Sequence, residues 1–162
     1  MKKIIRIRNE RCTGCRVCEL TCSFEKEGAF IPQKSRVKIF QNREYGLDII
    51  SLCQICDPAP CLKVCKPGAL SRNKNQGHMM LDIEKCTKES CLKCVAVCPY
   101  NAIGWNPDTR EILICDLCNG DPECVKHCKP RAIIFENCER VEILQQMKDL
   151  KKNLNDLNSS GA

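Results

Sequence analysis

The chain has 162 residues, a formal charge of +6, 17 cysteines and only seven aromatic side chains. Leu, Ile, Val and Phe make up about a quarter of it, too much for a disordered chain, yet a mean hydropathy of −0.31 leaves a thin apolar core for this length. Apolar runs of no more than four or five residues exclude a membrane span, so the chain is expected to fold around sulfur chemistry as well as hydrocarbon.

Residues 4–8 alternate isoleucine with arginine and predict a strand. No apolar stretch of signal-peptide length precedes Cys12, so a cytoplasmic protein is expected. Cytosolic thiols are kept reduced, which favours metal ligation over a disulfide framework, and an odd cysteine count leaves one thiol unmatched in any such framework. The first motif is Cys12, Cys15, Cys18 and Cys22, spaced C-x2-C-x2-C-x3-C. Residues 23–52 then contain no cysteine and read as an insertion, with a hairpin around residues 41–46, available for partner contact. The second motif is Cys53, Cys56, Cys61 and Cys65, spaced C-x2-C-x4-C-x3-C. Leu70 and Met80 flank the polar run 73–77, a hairpin loop by composition, and residues 79–83 read as a strand. The third motif follows: Cys86, Cys91, Cys94 and Cys98, spaced C-x4-C-x2-C-x3-C. Residues 103–105 are expected to pair with 112–114 across 106–109, ahead of the fourth motif, Cys115, Cys118, Cys124 and Cys128, spaced C-x2-C-x5-C-x3-C.

Single helical turns are expected after each third cysteine. Beyond the domain of residues 1–137, the segment 138–162 changes character. Ile143, Met147, Leu150, Leu154 and Leu157 recur at spacings of four and three, one apolar stripe on a helix of about 20 residues that frays at 158–162. Such a helix either packs back on the cysteine-rich domain or docks onto another subunit. Cys138, outside all four motifs, reads as a buried or incidental thiol.

Every motif ends in C-x3-C, and three continue in a shared phrase: Cys65-Lys66-Pro67-Gly68-Ala69-Leu70, Cys98-Pro99-Tyr100-Asn101-Ala102-Ile103 and Cys128-Lys129-Pro130-Arg131-Ala132-Ile133. Three close cysteines with a distal fourth are the signature of bacterial-type ferredoxin units, which bind cubane [4Fe-4S] clusters. Three thiolates on a tight loop hold three corners of a cube while the fourth faces a neighbouring cluster, so the motifs are expected to work in pairs. Zinc is the alternative, since it also takes four thiolates. Structural zinc sites use two cysteine pairs about a dozen or more residues apart, with no role for a third close cysteine or a repeated proline.

With these motifs the chain resembles the four-cluster, ferredoxin-like electron-transfer subunits that accompany large catalytic subunits. Relatives of that kind serve tungsten aldehyde oxidoreductases, carbon monoxide dehydrogenase and molybdopterin oxidoreductases. The likeness covers about residues 3–137 and is carried by Cys53-Gln54-Ile55-Cys56-Asp57-Pro58-Ala59-Pro60-Cys61, by Cys115-Asp116-Leu117-Cys118 and by Asp121-Pro122-Glu123-Cys124. It implies an α+β fold of tandem, nested two-cluster ferredoxin-like units, with short hairpins, short helices and a C-terminal amphipathic helix. It also implies four [4Fe-4S] clusters with the sixteen motif cysteines as iron ligands. Cys12, Cys15, Cys18 and Cys128 would hold centre 1; Cys53, Cys56, Cys61 and Cys98, centre 2; Cys86, Cys91, Cys94 and Cys65, centre 3; and Cys115, Cys118, Cys124 and Cys22, centre 4. Motifs 1 and 4 are thereby paired around motifs 2 and 3.

The sequence departs from the family pattern where Ser23, not proline, follows Cys22. It departs again where the third motif has four residues between its first two cysteines instead of two. The central gap of the fourth motif is shorter than in many molybdopterin-associated members, which points to the aldehyde oxidoreductase and carbon monoxide dehydrogenase branches.

The resemblance implies a non-catalytic subunit relaying single electrons between a large catalytic oxidoreductase subunit, best matched to a tungsto- or molybdopterin enzyme and foremost a tungsten aldehyde oxidoreductase, and a ferredoxin or other redox acceptor. The chain has no Gly-rich phosphate loop and no nucleophile with a base at motif spacing, and His78 and His127 read as isolated surface residues. Four cluster cores with their thiolates bring the formal charge from +6 to about −2, which removes the case for a nucleic-acid partner. Arg11, Arg16, Lys63, Lys66, Lys93, Lys129 and Arg131 are then expected to compensate cluster charge. A freestanding polyferredoxin shuttle, an iron-sulfur subunit of a hydrogenase and a structural zinc protein stand as alternatives.

Overall fold

The computed structural model describes residues 2–42 and 46–159 of an α+β chain. Strand β1 (Lys2–Ile7) carries the alternating residues and buries Ile4 and Ile5. A second strand, unforeseen in the sequence, brings the opposite end of the cysteine-rich segment back to it. This strand, Ile133–Cys138 and the last of eight among the described residues, pairs antiparallel with β1 in the register Lys2↔Cys138 to Ile7↔Ile133.

Helix α1 (Val17–Glu27) runs for 11 residues, so the expected single turn after the third cysteine is not what forms in the first motif. Ser23 is the reason. A proline there would remove a helical N–H and clash with the preceding turn, whereas Ser23 is fully buried, its hydroxyl donating to the Leu20 carbonyl at 2.9 Å and accepting the Ile31 N–H at 3.0 Å. The helix ends at Gly28, whose φ of 69° lets its N–H reach the Phe24 carbonyl at 2.8 Å.

The insertion forms the hairpin β2 (Lys38–Asn42) and β3 (Leu47–Ser51), with the expected turn at residues 43–45 outside the described residues. Part of it packs inward, Val37, Ile39, Ile49, Ile50 and Leu52 being buried, while Phe24, Phe30 and Leu47 stay exposed. After the second motif, α2 (Pro60–Val64) is a short helix, and β4 (Leu70–Arg72) pairs with β5 (Met79–Leu81). Next come α3 (Lys93–Val97) and the pair β6 (Gly104–Asn106) with β7 (Glu111–Leu113), offset by one residue from the sequence expectation. Helix α4 (Glu123–Lys126) packs on α1, as α2 does on α3, and β8 (Ile133–Cys138) closes the domain.

Helix α5 (Arg140–Ser159) lies back on this domain. Leu150 and Leu154 are buried with Ile49, Tyr100 and Ala102, and Met147 and Leu157 pack beside them. A polar plug fastens it: Gln146 accepts the Ile7 N–H at 2.8 Å and donates to the Ile5 carbonyl at 3.1 Å and to Gln54 Oε1 at 2.8 Å. The helix continues through Ser159, and residues 160–162 of the expected frayed end are outside the described residues. Cys138 is buried at the end of β8. No helix among the described residues is long and apolar enough to cross a membrane.

Candidate metal centres

Each cysteine motif curls through the same unusual backbone. The residue two places after the first cysteine is left-handed in all four: Gly14 (φ 64°), Ile55 (50°), Lys88 (53°) and Leu117 (57°). Gly68, Asn101 and Arg131, three places after the last cysteine of motifs two, three and four, share that conformation. Alternating right- and left-handed residues turn consecutive N–H groups inward and form a concavity for an anionic group. For a β-branched Ile55 the conformation costs about 1–3 kcal/mol, so it persists only where the surroundings enforce it. At Gly14 a side chain is excluded twice, by φ and because its first carbon would collide with the Asp48 carboxylate.

The loops enclose cavities walled by thiols. Cys53, Cys56, Cys61 and Cys98 line one with Ala59, Met79 and Ile103. Cys65, Cys86, Cys91 and Cys94 line another with Leu70, Leu81 and Ile112. Cys22, Cys115, Cys118 and Cys124 line a third with Ile5, Val37 and Leu52. In each, three thiols come from one motif and the fourth is the last cysteine of another. Of the remaining four, Cys12 lies within electrostatic reach of Cys15 and Cys128, and Cys18 within reach of Cys12 and Cys128. Cys15 alone among the seventeen is exposed, and none forms a disulfide.

Burial pushes the thiols of Cys12, Cys18, Cys53, Cys56, Cys61, Cys94, Cys115, Cys118 and Cys124 up, and their neighbours' negative charge adds to it. Cys18 and Cys53 rise to about 12 and Cys56 and Cys94 to about 11, while Cys115 and Cys124 lie higher still. Four buried thiols in one cavity become thiolates together only around a positive core. Three thiols of one motif with a fourth from another, around one cavity, suit the corners of a cubane. The donor set therefore fits a [4Fe-4S] cluster.

Backbone donors complete the surroundings. Arg36 N–H reaches Cys22 Sγ at 3.3 Å, Leu70 N–H reaches Cys65 Sγ at 3.3 Å and Lys88 N–H reaches Cys86 Sγ at 3.4 Å. The thiol groups also follow one another: Cys124 lies within reach of Cys18, and Cys115 within reach of Cys53. Cys53 packs both in the core around Ile5 and Leu117 and in the core around Met79 and Ile112.

The cations that act most on the thiols are not those beside the motifs in sequence. Arg72 acts on Cys56 and Cys61, and Lys26 on Cys118. Arg16 instead bridges to Glu19 at 3.2 Å. Arg72 lies on a hairpin strand and Lys26 at the far end of α1, so only the fold brings them near. His78 corrects another expectation, being 2% exposed with its Nδ1 lacking a partner among the described residues. His127 is exposed, its Nδ1 3.0 Å from the Glu123 carbonyl.

Comparison with known proteins agrees with this chemistry. Residues 48–138 match the 4Fe-4S dicluster domain. The chain is 37% identical over 124 residues, 76% of its own length and 70% of the relative's, to the polyferredoxin-like subunit of an aliphatic sulfonate oxidoreductase from Pyrococcus furiosus. It is 30% identical over 171 residues, 91% of this chain and 95% of the relative, to the electron transport protein HydN of Escherichia coli. A solved chain of the active-site complex of benzoyl coenzyme A reductase aligns over 91% of this chain and 88% of its own at 22% identity and a TM-score of 0.48.

Proposed function

The chain belongs to the 4Fe-4S dicluster domain family, and on that premise we propose that it is the electron-transfer subunit of an oxidoreductase, carrying electrons through four clusters held by its sixteen motif cysteines. The observation that carries this reading is the set of three cavities, each walled by four thiols of which the fourth comes from a different motif. Centre 1 is completed by Cys12, Cys15, Cys18 and Cys128, whose mutual electrostatic reach supports their grouping. The pairing nests motifs 2 and 3 inside motifs 1 and 4. When bound, each [4Fe-4S] cluster takes up and returns one electron and makes or breaks no substrate bond.

The chain's own residues set the conditions. Ile5, Val37 and Leu52 keep water from the cavity of Cys115, and Leu70, Leu81 and Ile112 do so for that of Cys94. The N–H groups of Arg36, Leu70 and Lys88 steady negative charge on sulfur, which lowers the cost of the reduced state. We assign the catalytic partner to the tungsten-dependent aldehyde oxidoreductase type, the outer acceptor to a ferredoxin or similar carrier, and the place of work to the cytoplasm. The short gap in the fourth motif and the likeness to an oxidoreductase's polyferredoxin-like subunit support that assignment.

Anaerobic purification from the native host tests it. About sixteen iron and sixteen sulfide per chain are expected, with a large tungsten-containing subunit at fixed stoichiometry identified by mass spectrometry. About half that iron would overturn the four-cluster reading. A full complement of iron with no stoichiometric partner would overturn the subunit reading in favour of a free shuttle.

A further inference from the structure

We infer that Arg72, Lys2 and Lys38 form a cationic clamp around the centre of Cys53, Cys56, Cys61 and Cys98 and make it the most easily reduced of the four, the place where an electron rests in transit. The inference builds on the ligand grouping proposed above.

Two of the cations grip the same loop. The Arg72 Nη2 donates to the Cys56 carbonyl, and Lys2 Nζ donates to the Ile55 carbonyl at 3.2 Å. They come from different strands, β4 and β1, and repel each other: burial and then the nearby Arg72 hold Lys2 below the usual lysine range, with Asp57 opposing. Two half-buried cations side by side are costly unless negative charge lies beside them. The thiolate-ligated centre supplies that charge.

The third cation comes from β2. Lys38 Nζ occupies space left by Gly104, where a β-carbon would stand 3.3 Å from it, and it acts with Cys98, Glu19 being its carboxylate neighbour. Among the described residues none of the three forms a salt bridge with another.

The other thiol groups are set differently. Carboxylates face the first, Asp48 acting on Cys12 and Glu19 on Cys18. Lys26, beside Cys118, is tied to Asp116 at 2.8 Å and so brings its own countercharge. The charges that act most on Cys94 are those of Cys86 and Cys65. Adding an electron makes a centre more negative, and nearby cations lower the energy of that state. Arg72, Lys2 and Lys38 all act on the Cys53 group, with Asp57 near Lys2 and Glu19 near Lys38 as the carboxylates beside them.

Anaerobic potentiometric titration of the complete protein with dithionite as reductant, followed by electron paramagnetic resonance, tests the clamp, with iron and sulfide counted for every sample. In Arg72→Met the highest of the four midpoints is expected to fall by roughly tenfold in its reduction equilibrium, ~59 mV for one electron, while the other three hold. Lys38→Met is expected to act in the same direction without touching a ligand loop, so it carries the test if Arg72→Met loses iron. Arg72→Lys keeps the charge but not the guanidinium geometry and is expected to stay near the wild-type midpoint. Lys152→Met, on the exposed face of α5 and outside every cysteine motif, is expected to change nothing. An unchanged highest midpoint in both Met variants at full iron content would overturn the clamp, as would a fall in Arg72→Lys equal to that in Arg72→Met. A wild-type protein with fewer than four clusters would instead overturn the ligand grouping on which the inference builds.

Discussion

The half of the chain built from the first and fourth motifs differs from the half built from the second and third. The outer half has the three-turn α1 and the six-residue pairing of β1 with β8, and buries Ile4, Ile5, Val37, Ile39, Ile50, Leu52 and Ile133 in one cluster. The inner half has five-residue helices, two pairs of three-residue strands and a core of Leu70, Met79, Ile103, Ile112 and Ile114. A small segment buries too little apolar surface to offset its ordering entropy, and metal ligation is the usual substitute. The four motifs thus sit in two regions with unequal apolar cores, and the inner one is expected to lose its structure first when metal is withdrawn.

Withdrawal of iron is the strongest way to break that contrast. Under an anaerobic chelator, amide exchange should rise first in β4, β5, β6 and β7, while the β1–β8 pair keeps its protection longest. Simultaneous loss in both halves would mean that the outer core is no more independent than the inner. Next in size is Leu150→Ala. Its side chain packs with Ile49 of the insertion and with Tyr100 and Ala102 beside the inner half, so α5 clasps the two together. The truncation should cost about 2–5 kcal/mol, seen as a lower denaturant midpoint, and should separate one unfolding transition into two. A single transition with a shift under about 1 kcal/mol would show that the clasp contributes little beyond surface packing.

The sequence made some of these features plain and hid others for physical reasons. Cysteine spacing announces local loops, and the β4–β5 and β6–β7 hairpins lie within a few residues of their turns, so short-range signals suffice. The α5 stripe is equally local. The β1–β8 pair joins opposite ends of the cysteine-rich segment, and Ile133–Cys138 continues the last repeat phrase, so nothing nearby announces its partner. Gln146 reads as part of a polar face, and only the fold reveals it as the group that answers backbone atoms of β1. Left-handed Ile55, Lys88 and Leu117 are invisible for a different reason: glycine marks that backbone in the first motif, but side-chain propensity argues against it in the other three. The cations around Cys56 escape any search of flanking residues because Lys2 and Arg72 reach it from other strands.

The smallest effect concerns the bond that ties the fourth motif to α1. Asp116 accepts the Cys118 N–H at 3.0 Å and Lys26 Nζ at 2.8 Å. Burial alone would raise its carboxyl, but Lys26 and the Cys118 N–H hold it below the usual range; burial alone would lower Lys26, but Asp116 holds it above its own. A carboxyl depressed in the folded state contributes stability that is whole above its unfolded value of roughly 3.9 and is lost as pH falls through the folded one. A raised lysine contributes stability that is whole below its unfolded value of roughly 10.4 and is lost as pH rises through the folded one. Asp116→Asn keeps an acceptor for the Cys118 N–H and removes the charge, so the variant should be less stable by a constant margin across neutral pH. That margin should close as pH rises through the raised lysine value, as read from denaturant midpoints of the iron-loaded protein. Because Lys26 and Asp116 both belong to the outer half, faster amide exchange should appear in α1 and residues 115–118 and leave β4 and β5 unchanged. Exchange that spread equally into the inner half would mean that the two halves share one cooperative unit, and the difference in their cores would then carry no difference in their stability.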